Sequence, residues 1–257
     1  MSLVHAEYLK VARRKLFPVM ALILGLLMGF FGVLFFLVLP ALPETAGGGS
    51  VVPQRPEAFV FGAQQVAGQA WWFAVILGTA VFGGELATTA WATSLARESR
   101  KPRHILSKFV VFTVASWLAL LLGTAIWAVV TFLFAEGSGS PTTTEWVGLG
   151  WKFLVIAAAW TSIGLGAIGL TRSIPSAMAI ALGLSFVDSI LSPFVDFYET
   201  VSLTAASNGI FGVAAGSPFS GLIPGGDMSV AHALLIMVGW SALALGAMWW
   251  GLQRRDA

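Results

Sequence analysis

The chain has 257 residues, of which 57% are hydrophobic and 10% charged, whereas a soluble domain carries about 25% charged residues. Its net charge of +2 offers no basic footprint for a nucleic acid, and with no Cys it forms neither a disulfide nor a thiolate metal site. The three His (His5, His104 and His232) are dispersed and give no short metal-ligand spacing. These exclusions leave an all-α, polytopic membrane protein.

A membrane-spanning helix needs roughly 20 apolar residues, because lipid offers no hydrogen-bond partners to its backbone. Gaps between charged residues therefore locate the spans. Residues 3–16 precede the first gap and form an amphipathic helix, with Val4, Tyr8, Val11 and Ala12 on one side and Glu7, Lys10 and Arg14 opposite. Such a helix lies in the inner interface with its basic face toward anionic headgroups. The uncharged run 16–43 gives a span near 17–39, ended by Pro40 and Pro43. Its apolar core exceeds the roughly 7–15 residues of a signal peptide, so it is expected to be retained. An outer loop follows over 40–62.

The run 58–84 gives a second span near 66–86, with Trp71 and Trp72 at its outer headgroup level. Next comes the most polar inner segment, 87–108, where Trp91 and Leu95 stand at i, i+4 and Pro102 interrupts the helical pattern. A short helix with an exposed Trp and Leu rimmed by charges has the chemistry of a docking surface. The run 109–135 gives a span near 109–134, followed by an outer loop over 136–147. The run 153–171 gives a span near 149–171, opened from outside by Trp146 and Trp151. A shorter run, 173–187, continues apolar past Asp188 and gives a span near 175–196. Residues 197–230 are too apolar for a solvated loop and too broken for a span, so they are expected to re-enter the membrane partway. The last run, 228–253, gives a span near 231–252 closed by Trp249 and Trp250.

Six spans put both termini on one side. With the N-terminus in the cytoplasm, only Arg55 and Lys152 of the 14 basic residues fall outside, as the positive-inside rule demands. The expected location is the cytoplasmic membrane, multi-pass.

Two ionisable residues lie within or beside spans. Glu85 ends the second span and is expected to pair with a basic residue of the loop or of the interfacial helix, such as Arg14. Asp188 sits inside the fifth span, where a carboxylate costs about 2.5–3.5 kcal/mol on insertion scales. It serves either as a pathway or dimer contact or as part of a structural network with Ser185, Ser189 and Ser192. Closely spaced glycines, Gly164, Gly166 and Gly169 in the fourth span and Gly25, Gly29 and Gly32 in the first, are expected to bring helices close together.

These features together resemble the permease subunits of ABC transporters of the type-2 export class. The most specific part runs from Phe82 to Lys108. Members of that class carry a Glu at the inner end of the second span, a Thr-containing turn and a short apolar helix. A basic element, an Ile-Leu pair and a Lys complete the pattern. Glu85, Thr88 and Thr89, Trp91 and Leu95, Arg100 to Arg103, Ile105 and Leu106, and Lys108 take those places. The family's Gly-Thr pair is Thr89-Ala90 here, and its Pro follows Lys101 instead of preceding the basic element.

The resemblance implies that Glu85, Thr89, Trp91, Leu95, Arg97, Arg100 and Arg103 couple the chain to a separate ATPase subunit, with Glu7, Lys10 and Arg14 on the interfacial helix. It also implies a second permease chain, either a copy or a related paralogue. No G-x-x-x-x-G-K-[ST] loop occurs in the sequence, so ATP and Mg are expected in the partner and no enzymatic activity in this chain. Apolar spans suit an amphipathic or lipophilic cargo, such as a lipid, a drug or an antimicrobial peptide.

Two other readings are weighed beside it. One is an ion-coupled secondary transporter using Asp188, for which the two halves show no convincing repeat. The other is an intramembrane serine protease using Ser185, within Gly183-Leu184-Ser185-Phe186, and His232. Their expected depths differ by roughly 15 Å at 1.5 Å per residue.

Overall fold

The computed structural model describes residues 3–38, 55–88, 91, 100–137, 140–192, 194–211 and 228–254. Among them the fold is helical, without strands. In chain order the helices are α1 (Leu3–Arg13), α2 (Leu16–Val38), α3 (Arg55–Gly68), α4 (Ala70–Leu86), α5 (Lys101–Phe134) and α6 (Thr143–Thr171). They are followed by α7 (Ile174–Leu191), α8 (Asp196–Glu199), α9 (Leu203–Phe211) and α10 (Val230–Arg254). Six helical stretches are long and apolar enough to cross a membrane: Leu16–Val38, Ala58–Leu86, Lys101–Phe134, Thr143–Thr171, Ile174–Leu191 and Val230–Arg254.

The helix α6 is the centre of the bundle and packs against α4, α5, α7 and α10. Its most apolar window is 78% buried, against 22% for α7 and α10. The sequence permits this because α6 carries glycines where neighbours press closest. A Cβ at Gly166 would stand 2.7 Å from the Ala244 carbonyl oxygen of α10, and one at Gly169 would stand 2.7 Å from the Met248 Cα. On its other side, a Cβ at Gly164 would lie 3.1 Å from the Val75 Cα of α4. Side chains at these positions would hold the helices apart, and packing is what binds helices together when no water drives them.

Helix starts are written locally. Thr142 accepts a hydrogen bond from the Glu145 amide while the Glu145 carboxylate accepts from the Thr142 amide, a capping box that begins α6 before the expected 149. Residues 143–147, expected in a loop, thus form its first turn. Pro102 stands in the first turn of α5, where its missing N–H leaves no gap. Thus α5 begins at Lys101 instead of 109 and runs for 34 residues.

The largest departure concerns 55–68, of which 55–62 was expected in an outer loop. Those residues form α3, whose Ala58, Phe59, Ala63 and Val66 are buried. The polar Gln64 and Gln65 and the small Gly62 had hidden this continuation. Trp71 and Trp72 consequently lie inside the 29-residue stretch Ala58–Leu86 and not at its outer edge. The helices α3 and α4 join at Gln69, whose backbone stays near the helical region (φ −89°, ψ −6°) and whose side-chain Oε1 accepts from Trp72 Nε1 at 2.8 Å.

The turn ends of the bundle sort into two sets. A Cβ on Gly83 near the end of α4 would touch Ile174 at the start of α7, and Arg172 between α6 and α7 donates to the Leu252 carbonyl at 3.3 Å. With α1 and the start of α5 these form one end, which also carries Arg13, Arg14, Lys15, Arg100 and Arg103, and is called the basic end below. Helices α8 and α9, the start of α6 and the end of α5 form the opposite end.

Candidate functional site

Four charged side chains from three helices meet at the basic end. Lys108 Nζ of α5 lies 2.8 Å from Glu7 Oε2 of α1 and 2.5 Å from Glu85 Oε2 of α4. Lys10 Nζ lies 2.8 Å from Glu7 Oε1 and 3.1 Å from Glu85 Oε1. Glu7, Glu85 and Lys108 are buried, while Lys10 reaches the surface. Isolated, each buried charge would cost several kcal/mol in lost hydration, so the cluster exists because two carboxylates and two ammonium groups close on each other. Burial alone would raise the Glu7 carboxyl, but the attraction and hydrogen bonds of Lys108 and Lys10 outweigh it and hold the carboxyl below its ordinary value. Burial likewise opposes the charge on Lys10, and Glu7 and Glu85 outweigh it, holding that ammonium above its ordinary value.

The expected pairing of Glu85 with a basic group therefore has Lys10 and Lys108 as its partners, while the exposed Arg14 lies beside Gly84. The face of α1 is also corrected. Glu7 points into the protein, whereas Val4 and Tyr8 are exposed. The buried side of this helix is formed by Glu7 and Val11, so an acid and an apolar residue from opposite sides of the expected wheel face the protein together. A helical wheel cannot show this, because both faces have a plausible exterior.

An aromatic column extends the cluster. Lys108 Nζ stands 5.0 Å from the centre of the Phe82 ring, the Trp91 ring meets Phe82 edge-on at 5.2 Å, and His104 meets Trp91 at 5.7 Å. Trp91 is only 9% exposed. It was expected to be an exposed docking residue, but Phe82 and His104 enclose it, so it fastens its segment to the bundle. Arg100 and Arg103 are exposed at the start of α5. Thr89, Leu95 and Arg97 lie outside the described residues.

At the opposite end, charged side chains meet helix termini instead of one another. Asp188 of α7 is buried and accepts from the backbone amides of Leu203 at 3.3 Å and Thr204 at 2.7 Å, the first turn of α9. Burial and the nearby Asp188 carboxylate push the Tyr198 hydroxyl up to about 12. Lys152 of α6 donates to the carbonyl of Phe211, the last residue of α9, at 3.2 Å. The nine-residue α9 thus has an acid at its positive pole and a base at its negative pole. Arg55 does the same for α5, donating to the carbonyls of Ala135 at 3.2 Å and Phe132 at 3.4 Å. The two basic residues that the charge pattern left outside both sit on helix C-termini.

The α9 segment occupies the stretch expected to re-enter the membrane, and Leu203, Ala205, Ala206, Ile210 and Phe211 are buried there. Val213, Phe219, Leu222 and Ile223 of the same stretch lie outside the described residues. Of the serines expected around Asp188, Ser185 and Ser189 bond to their own helix, and the Ser192 hydroxyl makes no hydrogen bond among the described residues. Ser185 donates to the Ala181 carbonyl at 2.8 Å and Ser189 to the Ser185 carbonyl at 2.8 Å. His232 is exposed at the start of α10, and Ser185 is buried on α7.

Among the described residues, no group of three or more His, Asp or Glu is placed to hold a metal. No family model matches the chain, and no curated protein is detectably similar to it.

Proposed function

We propose that the chain is the membrane-spanning subunit of an ATP-driven exporter of the ABC type-2 class, moving an amphipathic or lipophilic cargo with a separate ATPase subunit. The observation that carries this reading is the buried ionic cluster. It ties the N-terminal helix, the end of α4 and the start of α5 into one body, so a push on the 87–108 segment moves three elements together. In this reading the basic end faces the cytoplasm, where short basic segments are retained. The ATPase would close on ATP and Mg and press against the 87–108 segment of each of two permease chains.

The docking contact is assigned to the exposed Arg100 and Arg103, together with Leu95 and Arg97, and not to the buried Trp91. The partner surface is then acidic around an apolar groove. A tagged chain should co-purify with an ATP-hydrolysing subunit. Arg100→Glu with Arg103→Glu should release that subunit at least ten-fold while the permease itself stays monodisperse. Retention of the ATPase by this double variant would refute the docking assignment. Uptake into inverted vesicles should require ATP and the partner; uptake by this chain alone that collapses with an ionophore would refute the exporter reading.

A further inference from the structure

A cavity of about 420 Å³ lies between α2, α3 and α5, away from both charged centres. Met28, Phe31, Leu34, Phe35 and Val38 of α2 line one side, Phe61 and Gln65 of α3 with Gln69 at its junction with α4 line the other, and Trp127 closes the back. Its volume falls within the roughly 300–1,000 Å³ of small-molecule sites. Phe31, Leu34 and Val38 are also exposed on the side of α2, so the mouth opens laterally, where a spanning helix meets lipid.

The walls are fixed. Phe35 stacks on Phe61 at 4.9 Å, and Trp127 leans on Phe35 at 6.0 Å. The Trp127 indole N–H donates to the Ala58 carbonyl at 3.0 Å, so it offers nothing polar to the cavity. The absence of a side chain at Gly62 is what lets that indole seat against α3.

Among the described residues, two amides supply the polar lining. Gln65 and Gln69 stand one turn apart on α3 and at its junction with α4. Gln69 Oε1 is taken by Trp72 Nε1 at 2.8 Å, which leaves its NH2 group as a donor. Gln65 is exposed on a stretch that crosses the membrane, seven residues from Ala58. That is roughly 10 Å below the end of the span. An amide at that depth needs a polar partner, because hydrocarbon provides none.

We infer that this cavity binds the alkyl chain of an uncharged amphiphile from the bilayer, whose ester or hydroxyl group takes hydrogen bonds from Gln65 and Gln69. Among the described residues, no charged side chain lines the site, so a carboxylate or ammonium headgroup would find no countercharge among them. The inference stands apart from the transport reading, because it concerns binding alone and holds with or without an ATPase.

The test uses the full chain in nanodiscs with a monoacylglycerol carrying a diazirine on its acyl chain. Labelling should concentrate on peptides holding Phe35, Phe61 and Trp127, and a fatty acid bearing the same diazirine should label them at least five-fold less at neutral pH. Leu34→Trp, which fills the mouth from an exposed position, should cut that labelling at least ten-fold. Leu243→Trp on the exposed side of α10 should leave it unchanged. Gln65→Leu with Gln69→Leu should abolish the preference for the monoacylglycerol. Labelling spread evenly over all lipid-facing helices, or unaffected by Leu34→Trp, would overturn the inference. So would a Leu34→Cys protein that forms a disulfide-linked dimer in nanodiscs, which would make a second copy the occupant. If Leu34→Trp fails to remain monodisperse, Gln65→Trp, at an exposed position, carries the same prediction.

Discussion

The two ends of the bundle handle buried charge in different ways. At the basic end, Glu7, Lys10, Glu85 and Lys108 neutralise one another through side chains drawn from three helices. At the opposite end, Asp188, Lys152 and Arg55 each meet the backbone at a helix terminus. A helix end presents only about half a unit of charge, so a side chain matched to it loses less when the match is removed. A buried ion cluster concentrates whole charges, and losing one member leaves its partners exposed to the full desolvation cost. The first arrangement makes distant segments move as one body. The second anchors one short helix, α9, in place.

Single substitutions should separate the two ends sharply. Lys108→Met leaves two buried carboxylates facing Lys10 alone and should lower stability by about 3–5 kcal/mol, read by thermal unfolding in detergent. The charge-swapped pair Glu85→Lys with Lys108→Glu should recover more than half of that loss; no recovery would mean that the cluster is held by packing and not by charge. Asp188→Ala should cost about 1–2 kcal/mol by uncapping α9, and the change should appear as faster hydrogen exchange confined to 203–211. Asp188→Asn should restore most of the protection, because the amide oxygen still accepts. If Asp188→Asn keeps α9 protected yet abolishes transport, the carboxylate has a role beyond capping. Smaller still, Lys152→Met and Arg55→Met should each cost about 0.3–1 kcal/mol, the value of a cation at a helix C-terminus.

The gentlest perturbation is acid. The folded Glu7 carboxyl is held below its ordinary 4.5, so the unfolded or undocked form binds the proton more readily. The contribution of Glu7 is therefore present above about pH 4.5 and is lost as pH falls through its folded value. Lys10 has the opposite sign, since its ammonium is held above 10.5 and its contribution fades only as pH rises past that. The chain has no Cys, so His5→Cys gives a single spin-label site on α1. Its mobility should be constant from about pH 5 to 10 and increase only as pH falls below the ordinary carboxyl value of 4.5. Increased mobility already at pH 6 would place a different group in control of the docking.

Much of the helical layout was legible because lipid imposes a simple rule, a long apolar run without charges. The boundaries were less legible where polar residues are used inside the bundle. Gln64 and Gln65 made α3 resemble a loop, although Ala58, Phe59, Ala63 and Val66 show the apolar spacing of a packed helix. The capping box at Thr142 and Glu145 was a readable helix start that lay inside an expected loop. Glu85 drew attention as an acid at the end of a span, but Glu7 was set on the wrong face of α1. Its partner Lys108 is 101 residues away, beyond any local pattern. The partners of Asp188 were equally hidden, because they are backbone amides, which every residue has and no sequence motif announces. Trp91 shows the converse: spacing suggested exposure, and only the placement of Phe82 and His104 reveals that it is covered.

In the proposed reading, the basic end, and not the opposite one, receives an ATPase. The most direct measurement places a photoreactive benzoyl-phenylalanine at Arg103 in one protein and at Pro141 in another, both in native membranes. Irradiation at Arg103 should give an adduct that is also labelled by azido-ATP, and Pro141 should give none. An ATP-labelled adduct at Pro141, or none at either position, would contradict the account.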